Sequence, residues 1–188
     1  MPTEEYRTRV NEDRNAAKKA ALQAAASTGQ NVKLMAETGN AYLHFPGTFF
    51  PDVENLLRTG SLSVILVNPW FVESHGISAA FNDPEKLDRE GMHEWHRNKF
   101  KESTWGCQAL QQKAHDRLKV RVARYGLGST ILMTDDVVFF EPYFRSDRLR
   151  RYKLRFDTFE LRFEPGTEHV RNLLDEHFDF HWKTATPP

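Results

Sequence analysis

The sequence predicts an α/β fold, a single mixed sheet of about six or seven strands with helices on both faces. Three observations carry that expectation. Ser61-Leu-Ser-Val-Ile-Leu-Val-Asn-Pro69 is a continuous apolar run bounded by Gly60 and Pro69, the pattern of a strand buried on both faces, usually in a parallel sheet. A short strand and a helix precede it, and strand, helix, buried strand makes a right-handed crossover unit. From residue 119 onward the chain turns to short alternating strands with hairpin punctuation. The 188 residues suit one domain, and a chain of that length buries roughly 70% of its unfolded surface, so neither metal nor disulfide is needed to fold it.

Taken in order, residues 3–26 carry the strongest helix signal. Glu4 and Glu5 fall in the first turn, where the helix dipole favours acids, and Lys18 and Lys19 come later. Ala16, Ala17, Ala20, Ala21 and Ala24 to Ala26 supply high helix propensity. The apolar face of Tyr6, Val10, Ala17 and Ala21 is thin, so residues 1–30 read as a helical arm that docks on a neighbour, in cis or in trans. Ser27 to Asn31 stop it. An α/β domain over 31–183 follows, and residues 184–188 read as a frayed tail.

Within that domain, Val32 to Ala36 predicts a strand. Gly39 and a helix best seen over Asp52 to Arg58 lead to the buried run, and residues 70–116 read as one or two helices from about Pro84 to His115. Lys119 to Tyr125 alternates, with Val120, Val122 and either Ala123 or Tyr125 inward. Ser129 to Thr134 and Val137 to Phe140 flank Asp135-Asp136 as a hairpin turn. Phe156 to Glu164 is a strand with Phe159, Leu161 and Phe163 on one side and Glu160, Arg162 and Glu164 on the other. Pro165-Gly166-Thr167 ends it. The last helix places Val170, Leu173, Leu174, His177, Phe178 and His181 on or near one face.

Charge and cysteine content bound the function. Lys plus Arg and Asp plus Glu are both 26, so no large positive field exists to hold bulk nucleic acid, although a local basic patch fits. Cys107 is the single cysteine, which excludes an intramolecular disulfide and suits a reducing, cytoplasmic compartment. No apolar run approaches a membrane span, and the acidic N-terminus is unlike a signal peptide.

The element order also resembles one half of the phospholipase D superfamily. Active members of that family carry His-x-Lys, four residues, then Asp, on a strand followed by a hairpin. Laid on Gly128-Ser-Thr-Ile-Leu-Met-Thr-Asp135, the Asp position falls on Asp135, the His position on Gly128 and the Lys position on Thr130. The family's usual Gly-Ser after the second hairpin strand is replaced by Glu141-Pro142. Phosphodiester cleavage there needs an imidazole nucleophile, a second histidine as acid from the partner half, and lysines on the phosphate oxygens. Gly128 cannot attack and Thr130 carries no charge, so the resemblance, over about residues 31–183, implies a pseudo-enzyme of the bacterial regulatory type. It also implies a homodimer, because family halves pair about a two-fold axis. Asp135-Asp136 has a plain reading as well, since Asp caps its own backbone in turns.

His93 and His96 stand three apart on one helical face, and His115 is near in sequence, yet no third ligand completes a metal spacing. No metal or other cofactor is expected. Cys107 and His115 are eight residues apart, about 12 Å along a helix, too far for a thiol–imidazole pair. Trp70, Phe71, Trp95 and Trp105 either seal helices on the sheet or line a pocket mouth or interface. In Arg145 to Arg155, six of eleven residues are basic. Arg151, Lys153 and Arg155 alternate with Tyr152, Leu154 and Phe156, so one strand presents three cations about 6–7 Å apart. Such a strand is either a charged edge that resists aggregation or an anion site, because arginine forks suit phosphate oxygens. The anion reading takes Arg145, Arg148, Arg151, Lys153, Arg155, Tyr125 and Tyr143 as ligand residues for a small phosphorylated or nucleotide-like anion. The functional expectation is a non-catalytic sensor or regulatory domain binding such an anion. The alternatives are a protein–protein interaction module using residues 3–26 and, less favoured, an active phosphodiesterase or nuclease.

Overall fold

A computed structural model describes residues 7–10, 14–70, 89–142, 159–162 and 168–188. Its elements are β1 (Arg7–Val10), α1 (Arg14–Thr28), β2 (Asn31–Ala36), α2 (Asn40–Leu43), α3 (Phe50–Thr59), β3 (Ser61–Val67) and α4 (Arg89–Ala114). A 3-10 turn over His115–Arg117 leads to β4 (Leu118–Ala123), β5 (Ser129–Met133), β6 (Val137–Pro142), β7 (Phe159–Arg162) and α5 (Glu168–Thr184). The strands form one mixed sheet of seven in the order β1-β7-β6-β5-β2-β3-β4. β2, β3 and β4 run parallel, while β5, β6, β7 and β1 are antiparallel to their neighbours.

The predicted buried strand is the hub of the sheet. β3 lies between β2 and β4, and Val64, Ile65 and Leu66 are fully buried because both faces are covered. On one face Val32, Leu34, Val64 and Leu66 pack with Leu22 and Ala25 of α1, Val53 and Leu56 of α3, and Leu110 of α4. On the other, Met35, Ile65, Ile131, Met133 and Val138 pack with Phe178 of α5. The α/β class with helices on both faces is therefore the observed one.

Three expectations change. First, Arg7–Val10 is not helical: it pairs antiparallel with β7, Arg7 opposite Arg162 and Val10 opposite Phe159. Four residues are too few for alternation to be legible, and the unfilled edge of β7 decides the conformation. The helix begins at Arg14 and is no detached arm, because Leu22 and Ala25 are completely buried in the core. Second, the inward stripe of α5 is Arg171, Leu174, Asp175, Phe178, His181 and Trp182, whereas Leu173 and His177 point to solvent. Lys33 of β2 reorients that helix by binding Asp175 at 2.9 Å and Asp179 at 3.1 Å. Third, the tail is pinned. Val122 and Thr186 exchange backbone hydrogen bonds of 2.7 and 3.1 Å, and Ala185 is buried. In β7, Glu160 is buried rather than solvated, with Arg162 Nε at 2.6 Å.

The hairpin turn is as predicted. Thr134 N–H donates to the Val137 carbonyl at 2.9 Å, with Asp135 and Asp136 at the tip. No helix among the described residues is long and apolar enough to cross a membrane.

Candidate functional site

The parallel trio ends on one side of the sheet, at Ala36, Val67 and Ala123, and the antiparallel β5 begins there. Crevices outside the carboxyl ends of strands, where strand direction changes, are the usual ligand sites of α/β sheets. A cleft of about 360 Å³ opens at this point, lined among others by Arg14, Lys18, Glu37, Asn40, His96, Thr130 and Glu141.

α1 supplies the cations. Arg14 and Lys18 are one turn apart, so both reach the same point. Lys18 Nζ is 2.7 Å from Glu141 Oε2 and Arg14 Nη1 is 3.6 Å from Glu141 Oε1. The Lys18 side chain is 4% exposed and that of Glu141 11%, so this pair is held away from water. Burial pushes the Lys18 ammonium below its ordinary pKa and outweighs the opposing pull of Glu141. Glu141 itself stands opposite Thr130 in the β5–β6 ladder.

Glu37 extends β2 by one residue. Its carboxylate accepts the Leu127 N–H at 3.1 Å and also bonds the Gly128 N–H. Gly128 has φ of 72°, a left-handed conformation that turns successive N–H groups toward one concavity. Burial nevertheless drives the Glu37 carboxyl up to about 7, because these two bonds repay only part of its lost hydration. His96 reaches the cleft from α4 and is buried. Asn40 Nδ2 donates to Glu102 at 2.8 Å, and Lys99 joins the same carboxylate at 2.7 Å, which ties α2 to α4 beside the opening.

These placements sort the residues singled out in the sequence. Thr130 lines the cleft and the Gly128 N–H faces it through Glu37. Asp135 lies at the opposite end of β5, roughly 20 Å away at about 3.3 Å per residue. There it is exposed, with Arg171 donating to its carbonyl and Gln30 accepting its N–H at 3.0 Å. The motif positions therefore do not converge, and Asp135 is a turn residue. Arg145, Arg148, Arg151, Lys153, Arg155 and Tyr143 lie outside the described residues. Tyr125 is described and is not a cleft residue: its hydroxyl sits 2.8 Å from His181 Nδ1 and 2.6 Å from Thr184 Oγ1.

Cys107 is a core residue whose thiol burial pushes up to about 12, which leaves it un-ionised and inert. No three His, Cys, Asp or Glu side chains converge to hold a metal among the described residues. Sequence reasoning missed Arg14, Lys18, Glu37, His96 and Glu141 as a group. Their only linear signal is the i, i+4 spacing of Arg14 and Lys18, which the alanine-rich helix hides.

No protein-family model matches the chain, and no curated protein matches its sequence.

Proposed function

We propose that this is a non-catalytic, phospholipase D-like sensor domain that takes a small phosphorylated or nucleotide-like anion at the carboxyl end of β2. The observation supporting it is the convergence of Arg14 and Lys18 on the wall of a cleft that also holds Thr130. A guanidinium and an ammonium side by side have the fork and the point charge that suit phosphate oxygens, and an anion would take them over from the Glu141 carboxylate that now holds them. The absence of an imidazole at Gly128 fits binding without turnover, and the basic run from Arg145 to Arg155 would add cations to an extended ligand. The reading places the chain in the cytoplasm and as a homodimer.

Titration of the full chain with inorganic phosphate, mononucleotides, dinucleotides and cyclic nucleotides, followed by thermal unfolding, tests it. A ligand at a hundred times its dissociation constant adds about 2.7 kcal/mol, roughly 5–10 °C for a domain of this size. Arg14→Gln, which removes the guanidinium charge, should abolish that shift when each variant is compared with its own unliganded melting point. A flat response to every anion would overturn the sensor and favour an interaction module.

His96 supports a second reading, phosphodiester hydrolysis, because it is the histidine that lines this cleft. Turnover of a model phosphodiester that disappears in His96→Asn would establish that activity and end the non-catalytic reading.

A further inference from the structure

On α5, two histidines meet where the inward stripe borders the solvent face. His177 and His181 are separated by one helical turn, a spacing that puts two imidazoles on one face. Their ring centroids are 4.4 Å apart with the planes at 82°. His177 is exposed and His181 half-buried.

The hydrogen bonds behind His181 accommodate the Nδ1–H tautomer. Thr184 Oγ1 lies 3.2 Å from the Phe180 carbonyl and 3.1 Å from the His181 carbonyl, and both carbonyls can only accept. With the Thr184 proton given to one of these carbonyls, its oxygen accepts from Tyr125, 2.6 Å away. With its own proton spent on Thr184, the Tyr125 oxygen accepts from His181 Nδ1–H at 2.8 Å. In that arrangement neutral His181 carries its free lone pair on Nε2. An outer partner that holds the second ring nitrogen is the arrangement found behind metal-ligating histidines. Burial, with the His177 ring adding to it, lowers the His181 pKa.

We propose that His177 and His181 form a two-imidazole site for a first-row transition-metal dication of the zinc, nickel or copper class, with water completing the coordination sphere. Imidazole suits these ions, and hard cations such as magnesium and calcium prefer oxygen. At metal–nitrogen bonds of about 2.0–2.1 Å, the two donor nitrogens stand roughly 3 Å apart, within reach of rings spaced as these are if the exposed His177 rotates about its side-chain bonds. The last turns of a helix also favour a cation.

The test uses the untagged full chain, titrated with zinc, nickel and copper salts by calorimetry, with magnesium as control. One ion per chain is expected to bind at this pair. His177→Ala and His181→Ala should each weaken it at least about tenfold, and Tyr125→Phe about tenfold through lost orientation of His181. His177 is exposed, so its variant folds, which far-ultraviolet circular dichroism verifies. Nitrogen-15 correlation spectra of the metal-free chain should show the His181 proton on Nδ1. Unchanged affinity in His177→Ala, no uptake of any of the three ions, or a proton on Nε2 would each overturn the assignment.

Discussion

The Lys18 ammonium and the Glu141 carboxylate meet at 2.7 Å beneath the surface, linking α1 to β6 across the cleft. This contact makes the alanine-rich helix part of the domain. It also leaves two ionised groups dependent on each other, because each has been taken out of water. Lys18→Met should cost about 3 kcal/mol by taking from the buried Glu141 the ammonium that sits 2.7 Å from it. The double variant Lys18→Met, Glu141→Leu should regain most of that loss. Urea unfolding of the single and double variants measures both; additive losses would show that the pair carries no coupling.

Glu37 makes stability fall as pH rises. Its carboxyl stands at about 7 in the folded protein against an ordinary 4.5, so between those values the folded state holds a proton that the unfolded chain has released. The slope of stability against pH is negative there, and the contribution, fully present below pH 4.5, declines by about 3 kcal/mol through the interval. Glu37→Gln keeps an oxygen for the Leu127 N–H and carries no charge. The stability difference between Glu37→Gln and wild type should therefore widen in favour of the variant from pH 5 to pH 8. A difference independent of pH would contradict the raised value.

Gly106 lets α4 touch the end of α2. A Cβ placed there would overlap the Leu43 carbonyl oxygen, a backbone atom rather than the end of a flexible side chain. Gly106→Ala should cost about 3 kcal/mol from overpacking and loosen the Asn40–Glu102 tie beside the cleft. Gly126→Ala serves as the contrast, since its Cβ would meet only Glu37 Oε1 at 3.9 Å; that variant should be neutral or slightly stabilising. Thermal melts of the two variants separate these outcomes.

Thr186 covers the outer edge of β4 through its two backbone bonds to Val122. Removing residues 185–188 would bare that edge and withdraw the buried Ala185. The shortened chain should be less stable by about 1–2 kcal/mol and should associate more readily, because an uncovered strand edge templates pairing. Light scattering at matched concentrations checks the second point, and an unchanged scattering profile would show the tail to be dispensable.

Some of this was legible in linear order. Val64 to Val67 are apolar throughout because both faces of β3 are covered, so the run announces a central parallel strand. Asp135 and Asp136 between two apolar strands announce a hairpin, since the turn chemistry is local. Cys107 without an ionisable neighbour at helical spacing announces an inert thiol. In each case the signature is written in a few consecutive residues, and pattern suffices.

The remainder came only with tertiary structure. Arg7–Val10 takes extended form because β7 offers an edge, a partner about 150 residues away. α5 turns Asp175 inward because Lys33 waits on β2, which hydrophobic periodicity alone cannot register. The cleft joins α1, β2, α4, β5 and β6, and Lys18, Glu37, His96 and Glu141 acquire their character from burial beside one another. Desolvation and charge pairing depend on distance in space, so a sequence that specifies the elements leaves the chemistry between them to the packing.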